Sequence, residues 1–463
     1  MALGFSALRS KLIAVEYGPQ GIGLFGSITT LALVATTLLG FGITILGVTT
    51  ISSHPEGSRD RQVAVVAVRR GALVLTLACG AIFTPVVIGA GTVSRFFAIQ
   101  QDEIVAVAIA TASAILGGSR LAVLNAAGRI LALAAATALG PALGTLLTAA
   151  LILADSPHII AVAVASPPAI TMALALLADR VPGKAVSNIS WRVSATHFAR
   201  AMRLGGYVTA AACVSSGAQF LARFVTSSTQ GLEATGQFQA AWVIGATYLG
   251  FLFTTFAVDY LPKLSRTRDP LELNRTVNFQ LHFALAIMVP AIVILAALRE
   301  PLMHSLYTGD FGVAASILRL QLLGDLFKLL GWSVAYVLLA RADGPRYLLL
   351  EAVWGITYLI GISVSGILGE PRLTGAAYTL AYVAYASMAL VLARKVGVQL
   401  TRASWLFVSG AAVYVSVALL APIAAIVAVQ AIGSVAVLLL ALKRWHRNGL
   451  LRTRASAEFG ASA

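Results

Sequence analysis

Runs of about twenty or more apolar residues, separated by short turns rich in glycine or basic residues, recur from one end of the chain to the other. Wound as a helix, each run is long enough to cross a hydrocarbon layer roughly 30 Å thick. The pattern predicts fourteen helical spans: 2–17, 21–50, 66–91, 103–124, 129–153, 158–178, 204–228, 236–262, 278–298, 313–341, 346–368, 373–394, 403–421 and 422–442. The first is short and carries Arg9 and Lys11. It reads either as a half-length helix or as one whose start lies upstream. A cleaved signal peptide fits poorly, because no small-residue cleavage pattern follows a clear apolar core.

Composition narrows the class. Of 463 residues, 59% are apolar and only 11% charged, whereas an ordinary soluble domain carries about 25% charged residues. The net charge of +15 invites a nucleic-acid reading, but no basic face interleaved with aromatics exists to support one. The cations instead alternate from turn to turn. With the N-terminus placed in the cytoplasm, nearly all the Lys and Arg fall on the inner side. Only Arg95, Arg299 and Arg372 fall outside, and Arg223, Arg319 and Lys328 lie within spans. That is the positive-inside pattern, and it predicts a multi-pass protein of the inner or plasma membrane with both termini cytoplasmic. Cys79 and Cys213 sit in apolar runs and the six histidines are scattered, so no metal-ligand spacing and no disulfide framework is present.

The chain also repeats itself. GPQGIGLF at 18–25 and GLEATGQF at 231–238 share G-x4-G-x-F, and the turn LNAAGR (124–129) echoes LARADGPR (339–346) at nearly the same offset. Six spans separate the copies, an even number, so both keep one orientation about an axis along the membrane normal. The predicted fold class is an all-α polytopic membrane protein: two six-helix lobes related by a pseudo-twofold, plus a C-terminal helical hairpin, 12–14 transmembrane helices in all. Residues 1–178 form the N-terminal lobe and 204–395 the C-terminal lobe. Between them, 179–203 is a basic, partly amphipathic linker expected on the cytoplasmic interface. Residues 396–463 supply the extra hairpin and a basic tail.

Three blocks resemble bacterial O-antigen translocases, the Wzx-type flippases of the MOP (MATE-like) superfamily. They are KLIAVEYGPQGIGLFGS (11–27), ATGQFQAAWVIGATYLGFLFTTFAVDYLPKLSR (234–266) and LQLLGDLFKLLGWSVAYVLLARADGPRYLLLE (320–351). They come in family order, and the similarity covers most of 10–395. The resemblance implies a two-lobed twelve-helix transporter without a cofactor. Its cargo would be an undecaprenyl-pyrophosphate-linked oligosaccharide repeat unit, moved to the outer leaflet for surface polysaccharide synthesis, with polysaccharide polymerase machinery as a partner. The shortened first helix and the added last hairpin depart from that plan.

A lipid pyrophosphate is anionic and hydrated, so carrying it across needs a polar cavity and cations. Ionisable groups inside a span are costly, which makes them default functional candidates. In the tenth span Gln321, Asp325, Lys328 and Trp332 recur at helical spacing as one stripe. Lys328 either attracts the pyrophosphate or neutralises Asp325 as a structural pair, and Asp325 either holds Lys328 or titrates with a coupling ion. Arg319 and Arg223 either reach cargo or snorkel to headgroups, and Arg120, about a turn from the surface, does the same. Glu351 is a coupling-ion candidate or a partner for Arg346 or Arg120. Asp259, with Tyr248 and Thr255 on its side of the eighth span, is either a cavity residue or a neighbour of Lys263. Trp242, Tyr248 and Trp354 could stack on sugars or mark the membrane interface. Two rival readings stand beside the flippase. A small-molecule exporter of the same fold would want a smaller, more acidic cavity. A polysaccharide polymerase or ligase would need convergent acid–base groups on a large outer surface, and the outer loops are short. No phosphate-binding G-x-x-x-x-G-K-[ST] stretch occurs.

Overall fold

A computed structural model describes residues 2–89, 100–179 and 190–420. The side chains of 193–194, 197–205, 247–249, 251–259 and 420 lie outside that description. The predicted span 422–442, the basic tail, Arg95, residues 180–189 of the linker, and the side chains of Tyr248, Thr255 and Asp259 therefore fall outside the described residues.

Twelve α-helices run in sequence among the described residues: α1 (Ala2–Gly40), α2 (Ile43–Ser52), α3 (Arg59–Ile88), α4 (Gln101–Ala126), α5 (Ile130–Leu153), α6 (Ile159–Ala178), α7 (Trp191–Arg266), α8 (Pro270–Leu306), α9 (Gly312–Ala340), α10 (Gly344–Leu368), α11 (Leu373–Lys395) and α12 (Arg402–Leu420). A 3-10 turn, Gly309–Phe311, precedes α9. Eleven of the helical stretches are long and apolar enough to cross a membrane. Large apolar side chains stand on the surface, with Leu131, Leu153 and Ile367 exposed at 88%, 89% and 83%. Water would not tolerate so continuous an apolar exterior. The chain is an all-α, multi-pass membrane protein.

Local signals set the helix ends. Ser58 Oγ accepts from the Arg61 amide at 3.2 Å to start α3, and Glu103 accepts from the Gln100 amide at 2.8 Å to start α4. Each satisfies an amide that has no partner within its helix. Several expected boundaries change. Spans 2–17 and 21–50 meet at Gly18, whose φ of 59° and ψ of −157° kink α1, and the second run breaks at Phe41 and Gly42, both of positive φ, before α2 resumes it. Spans 204–228 and 236–262 likewise meet at Gly231, φ 88° and ψ 173°, inside α7. Helix from Trp191 onward runs straight into the span that begins α7, so the second part of the expected linker is in line with that span.

Gly18 and Gly231 occupy a region of backbone space that is closed to side-chain-bearing residues, which explains why the repeated motif begins with glycine. Two further turns repeat. Gly128 and Ala342 both adopt positive φ after a helix, as do Asp155 and Gly369. In each pair the next amide reaches back five residues: Arg129 to Leu124 at 2.9 Å, Asp343 to Leu338 at 2.9 Å, Ser156 to Leu151 at 3.1 Å and Glu370 to Ser365 at 3.2 Å. This left-handed cap takes up carbonyls left over at a helix end. The spacing between mates is 213 residues for the kinks and 214 for both other pairs. The repeat seen in the sequence is therefore a repeat of backbone geometry.

By proximity the chain gathers into two compact units. The first comprises Met1–Ala240, His304–Phe311 and Ile362–Pro371; the second comprises Ala241–Met303, Gly312–Gly361 and Arg372–Ala463. In the first, the two kinked hairpins cross at their shared glycines. A Cβ on Gly236 would run into the Pro19 carbonyl, and one on Gly23 would meet the Leu232 carbonyl and the Gly236 amide. Cys79 is packing in this unit's core, beside Ala72, Ile115 and Val123. In the second unit, Tyr260, Leu273, Val277, Val334, Ala393 and Val398 join the ends of α7, α9 and α11 to the start of α8.

Candidate functional site

The second unit carries the predicted stripe, and small residues are what bring its partners close. On α9, Gly324 leaves room for the Tyr378 ring and Thr379, and Gly331 does the same for Tyr385 and Ala386; on α11, Gly375 lies against the Ile317 carbonyl. Glycines at a helix–helix seam allow this approach within a membrane. The Tyr378 hydroxyl consequently donates to Asp325 Oδ1 at 2.6 Å and accepts from Lys328 Nζ at 3.4 Å. One phenol thus links the carboxylate and the ammonium, three residues apart on α9.

Asp325 is fully buried and Gln321 is 2% exposed. The second carboxylate oxygen of Asp325 is buried with no hydrogen-bond partner among the described residues. Gly245 on α7 abuts both side chains, and a Cβ there would strike the Gln321 amide. Lys328 is only half-buried, and its Nζ lies 5.0 Å from the Trp332 ring centroid, 5.2 Å from Tyr382 and 5.9 Å from Tyr378. Ring faces carry negative charge density and stabilise a desolvated ammonium. Glu351, buried on α10, acts on Lys328 electrostatically. Beyond the cation the rings continue: Tyr378 to Tyr382 at 4.7 Å, Trp354 stacked on Tyr358 at 5.2 Å, and Trp242 edge-on to Tyr378 at 5.7 Å. Trp354 is 2% exposed and its indole nitrogen has no partner among the described residues, so it is a buried aromatic and not an interfacial one.

Other predicted residues lie elsewhere. Arg319 is half-buried on α9. Arg223 does not snorkel. It is 1% exposed in the first unit, where its Nε donates to Gln239 Oε1 at 2.8 Å, Nη1 donates to the Gln219 carbonyl at 2.8 Å, and the guanidinium lies over Phe238 at 5.1 Å. The kink at Gly231 folds Phe238 and Gln239 back onto it, a reversal invisible in a linear reading. Arg120 is paired within the first unit. Its Nη1 donates to Asp179 at 3.1 Å, and Asp179 also holds Arg69. Arg346 is paired with Asp343 at 2.6 Å, which is the nearer carboxylate. Sequence reasoning missed Tyr378, Tyr382 and Tyr385, although Y-x3-Y-x2-Y in YTLAYVAY is itself a helical stripe. It also missed Arg9, which sits over Phe25 at 5.7 Å as Arg223 sits over the repeat-mate Phe238. Among the described residues no cluster of three His, Cys, Asp or Glu could hold a metal ion.

Among the described residues, twelve helices and a repeated turn geometry make an all-α, multi-pass membrane fold, and solved structures of a lipid flippase and of MATE transporters share it. No family model matches the chain. The solved structure titled Lipid II flippase MurJ, inward closed conformation, superposes with a TM-score of 0.70 over 97% of this chain and 98% of that one, at 15% identity. An inward-facing multidrug resistance MATE family transporter of the MOP superfamily gives 0.62 over 85% and 93%, also at 15% identity. In sequence, the chain is 26% identical over 175 residues to the Lipid III flippase of Escherichia coli (strain K12), 37% of this chain and 41% of that protein. The matched stretch thus spans less than half of that relative.

Proposed function

We propose that this chain is a transporter rather than an enzyme, and that it flips a polyprenyl-pyrophosphate-linked oligosaccharide from the cytoplasmic to the outer leaflet by alternating access. The cargo we infer is the repeat unit of a surface polysaccharide of the O-antigen kind. The observation that carries this reading is Lys328, a half-buried cation ringed by Trp332, Tyr378 and Tyr382. A pyrophosphate needs such a cation, because a divalent anion in a low-dielectric layer is otherwise prohibitively unstable. Sugar rings present C–H faces that pack on aromatic side chains, and a bank of rings adjoins the cation. The 26% identity to a lipid III flippase supports a lipid-linked cargo. The MATE-like fold alone is equally compatible with a small organic cation.

In this reading Lys328 attracts the pyrophosphate, with Gln321 and Trp332 completing the stripe. Asp325, held by Tyr378, keeps the ammonium in place when cargo is absent; Asp325, Glu351 and Asp259 are the groups for a coupling ion. Arg319 is a further candidate for the head group, as is Tyr248 for the sugars. Thermal stabilisation of the detergent-solubilised protein distinguishes the two cargo classes. A polyprenyl-pyrophosphate oligosaccharide should raise the unfolding midpoint while tetraphenylphosphonium leaves it unmoved. The reverse result would transfer the protein to the exporter class.

A further inference from the structure

A second site lies at the opposite end of α9 and α11 from Gly312 and Gly375, and it is independent of the flippase reading. There a half-open cavity of about 350 Å³ lies among the last turns of α9 and α11, the bend 396–401 and the first turn of α12. Val334, Leu390 and Ala393 line its apolar part; Arg394, Gln399 and Trp405 supply its polar and amphipathic part.

The bend is held by side chains placed for that purpose. Asn274 of α8 donates to the Gly397 carbonyl at 3.1 Å and accepts from the Gln399 amide at 2.7 Å. One turn on, Asn278 donates to the Gln399 carbonyl at 2.9 Å and accepts from the Thr401 amide at 2.9 Å. Ser404 adds a bond to Asn278 at 2.5 Å and lies 3.0 Å from His282 Nε2. A wall fixed in this way loses little entropy when something binds to it.

Charge and surface say what that is. Arg341, Arg346, Arg394, Lys395 and Arg402 stand in the turns at this end of α9 and α11 against one acid, Asp343, already paired with Arg346. The α7–α8 turn adds four more cations against Asp269 and Glu272. Trp405 is 37% exposed, and about a quarter-turn round α12 from it the apolar residues Leu406, Val413 and Val417 form one stripe, exposed at 75%, 65% and 60%. A cationic, head-sized recess on a helix that also carries an exposed apolar stripe matches an amphiphile with an anionic head. Basic recesses between membrane helices are where anionic lipid headgroups lodge, with tryptophan at headgroup level.

We propose that this cavity holds the headgroup of an anionic phospholipid drawn from the surrounding bilayer, with Arg394 as its main cationic contact and Trp405 packed against it. The test uses the full chain in phosphatidylcholine vesicles doped with phosphatidylglycerol or phosphatidylcholine brominated near the head. The Trp405 signal is isolated by difference from Trp405→Phe. At equal mole fraction the brominated phosphatidylglycerol should quench Trp405 roughly fivefold more effectively, the ratio expected for one added cationic contact. That preference should vanish in Arg394→Gln and persist in Arg394→Lys. Equal quenching by both lipids in the wild type overturns the proposal without recourse to any variant, and so does a preference unchanged in Arg394→Gln.

Discussion

The Tyr378 hydroxyl has one proton to give and lone pairs to accept with, and both are in use: it donates to Asp325 and accepts from Lys328. Tyr378→Phe keeps the ring and removes both bonds, leaving a fully buried carboxylate without its donor. An unsatisfied buried group costs about 1–3 kcal/mol, so the variant should unfold in detergent at a lower temperature than wild type and bind cargo more weakly. A midpoint and affinity equal to wild type would mean that the phenol bridges nothing of consequence. The stripe Gln321, Asp325, Lys328 and Trp332 was legible because charges at helical spacing stand out in an apolar run. Tyr378 and Tyr382 follow the same spacing, but uncharged rings in a membrane helix look like packing. Gln239 could not be paired with Arg223, because the contact depends on a kink that only the backbone reveals.

Among the helices, α4 to α6 and α9 to α11 lie within about two residues of the bounds expected from hydropathy, whereas α3 begins seven residues before its expected start and α8 extends eight residues beyond its expected span at each end. The break at Phe41 and Gly42 was not expected, since a glycine inside an apolar run is as often tolerated within a helix as not. The repeat was legible as G-x4-G-x-F, but the starts of LNAAGR and LARADGPR lie 215 residues apart, one residue out of step with the backbone. The structure pairs Gly128 with Ala342 by their positive φ of 65° and 55°. That pairing makes a reciprocal prediction. A left-handed residue bearing a Cβ costs about 1–2 kcal/mol, so Ala342→Gly should raise the thermal midpoint, and Gly128→Ala, whose new Cβ meets nothing within 4 Å, should lower it. Failure of the two to move in opposite directions would remove the shared cap. Crowding makes a sharper contrast. Gly236→Ala would press a methyl onto the Pro19 carbonyl and should destabilise by about 1–3 kcal/mol. Gly217→Ala, in open space on α7, should gain roughly 0.5–1 kcal/mol, and differential scanning fluorimetry of the pair reads both.

For the whole molecule, charge asymmetry predicts which turns face the cytoplasm. With Cys79 and Cys213 replaced by alanine, Glu370→Cys should react with a membrane-impermeant maleimide in intact cells. Arg268→Cys should react only after permeabilisation. Labelling in the reverse order would invert the topology and, with it, the direction of transport. The class of protein was legible in the chain because an apolar fraction of 59% leaves a bilayer as the only solvent that fits. The cargo is not legible in the same way, since one cation and a bank of rings can serve several amphiphilic anions.

The central claim is movement of a lipid-linked oligosaccharide governed by Lys328. The most direct measurement reconstitutes the protein in liposomes with a labelled polyprenyl-pyrophosphate oligosaccharide and follows the label's accessibility at the opposite leaflet. Wild-type protein should expose the label with time, and Lys328→Ala, inserted to the same extent, should expose it at least about tenfold more slowly, as loss of a charge-assisted contact implies. Label confined to its original leaflet in the presence of wild-type protein would contradict the account.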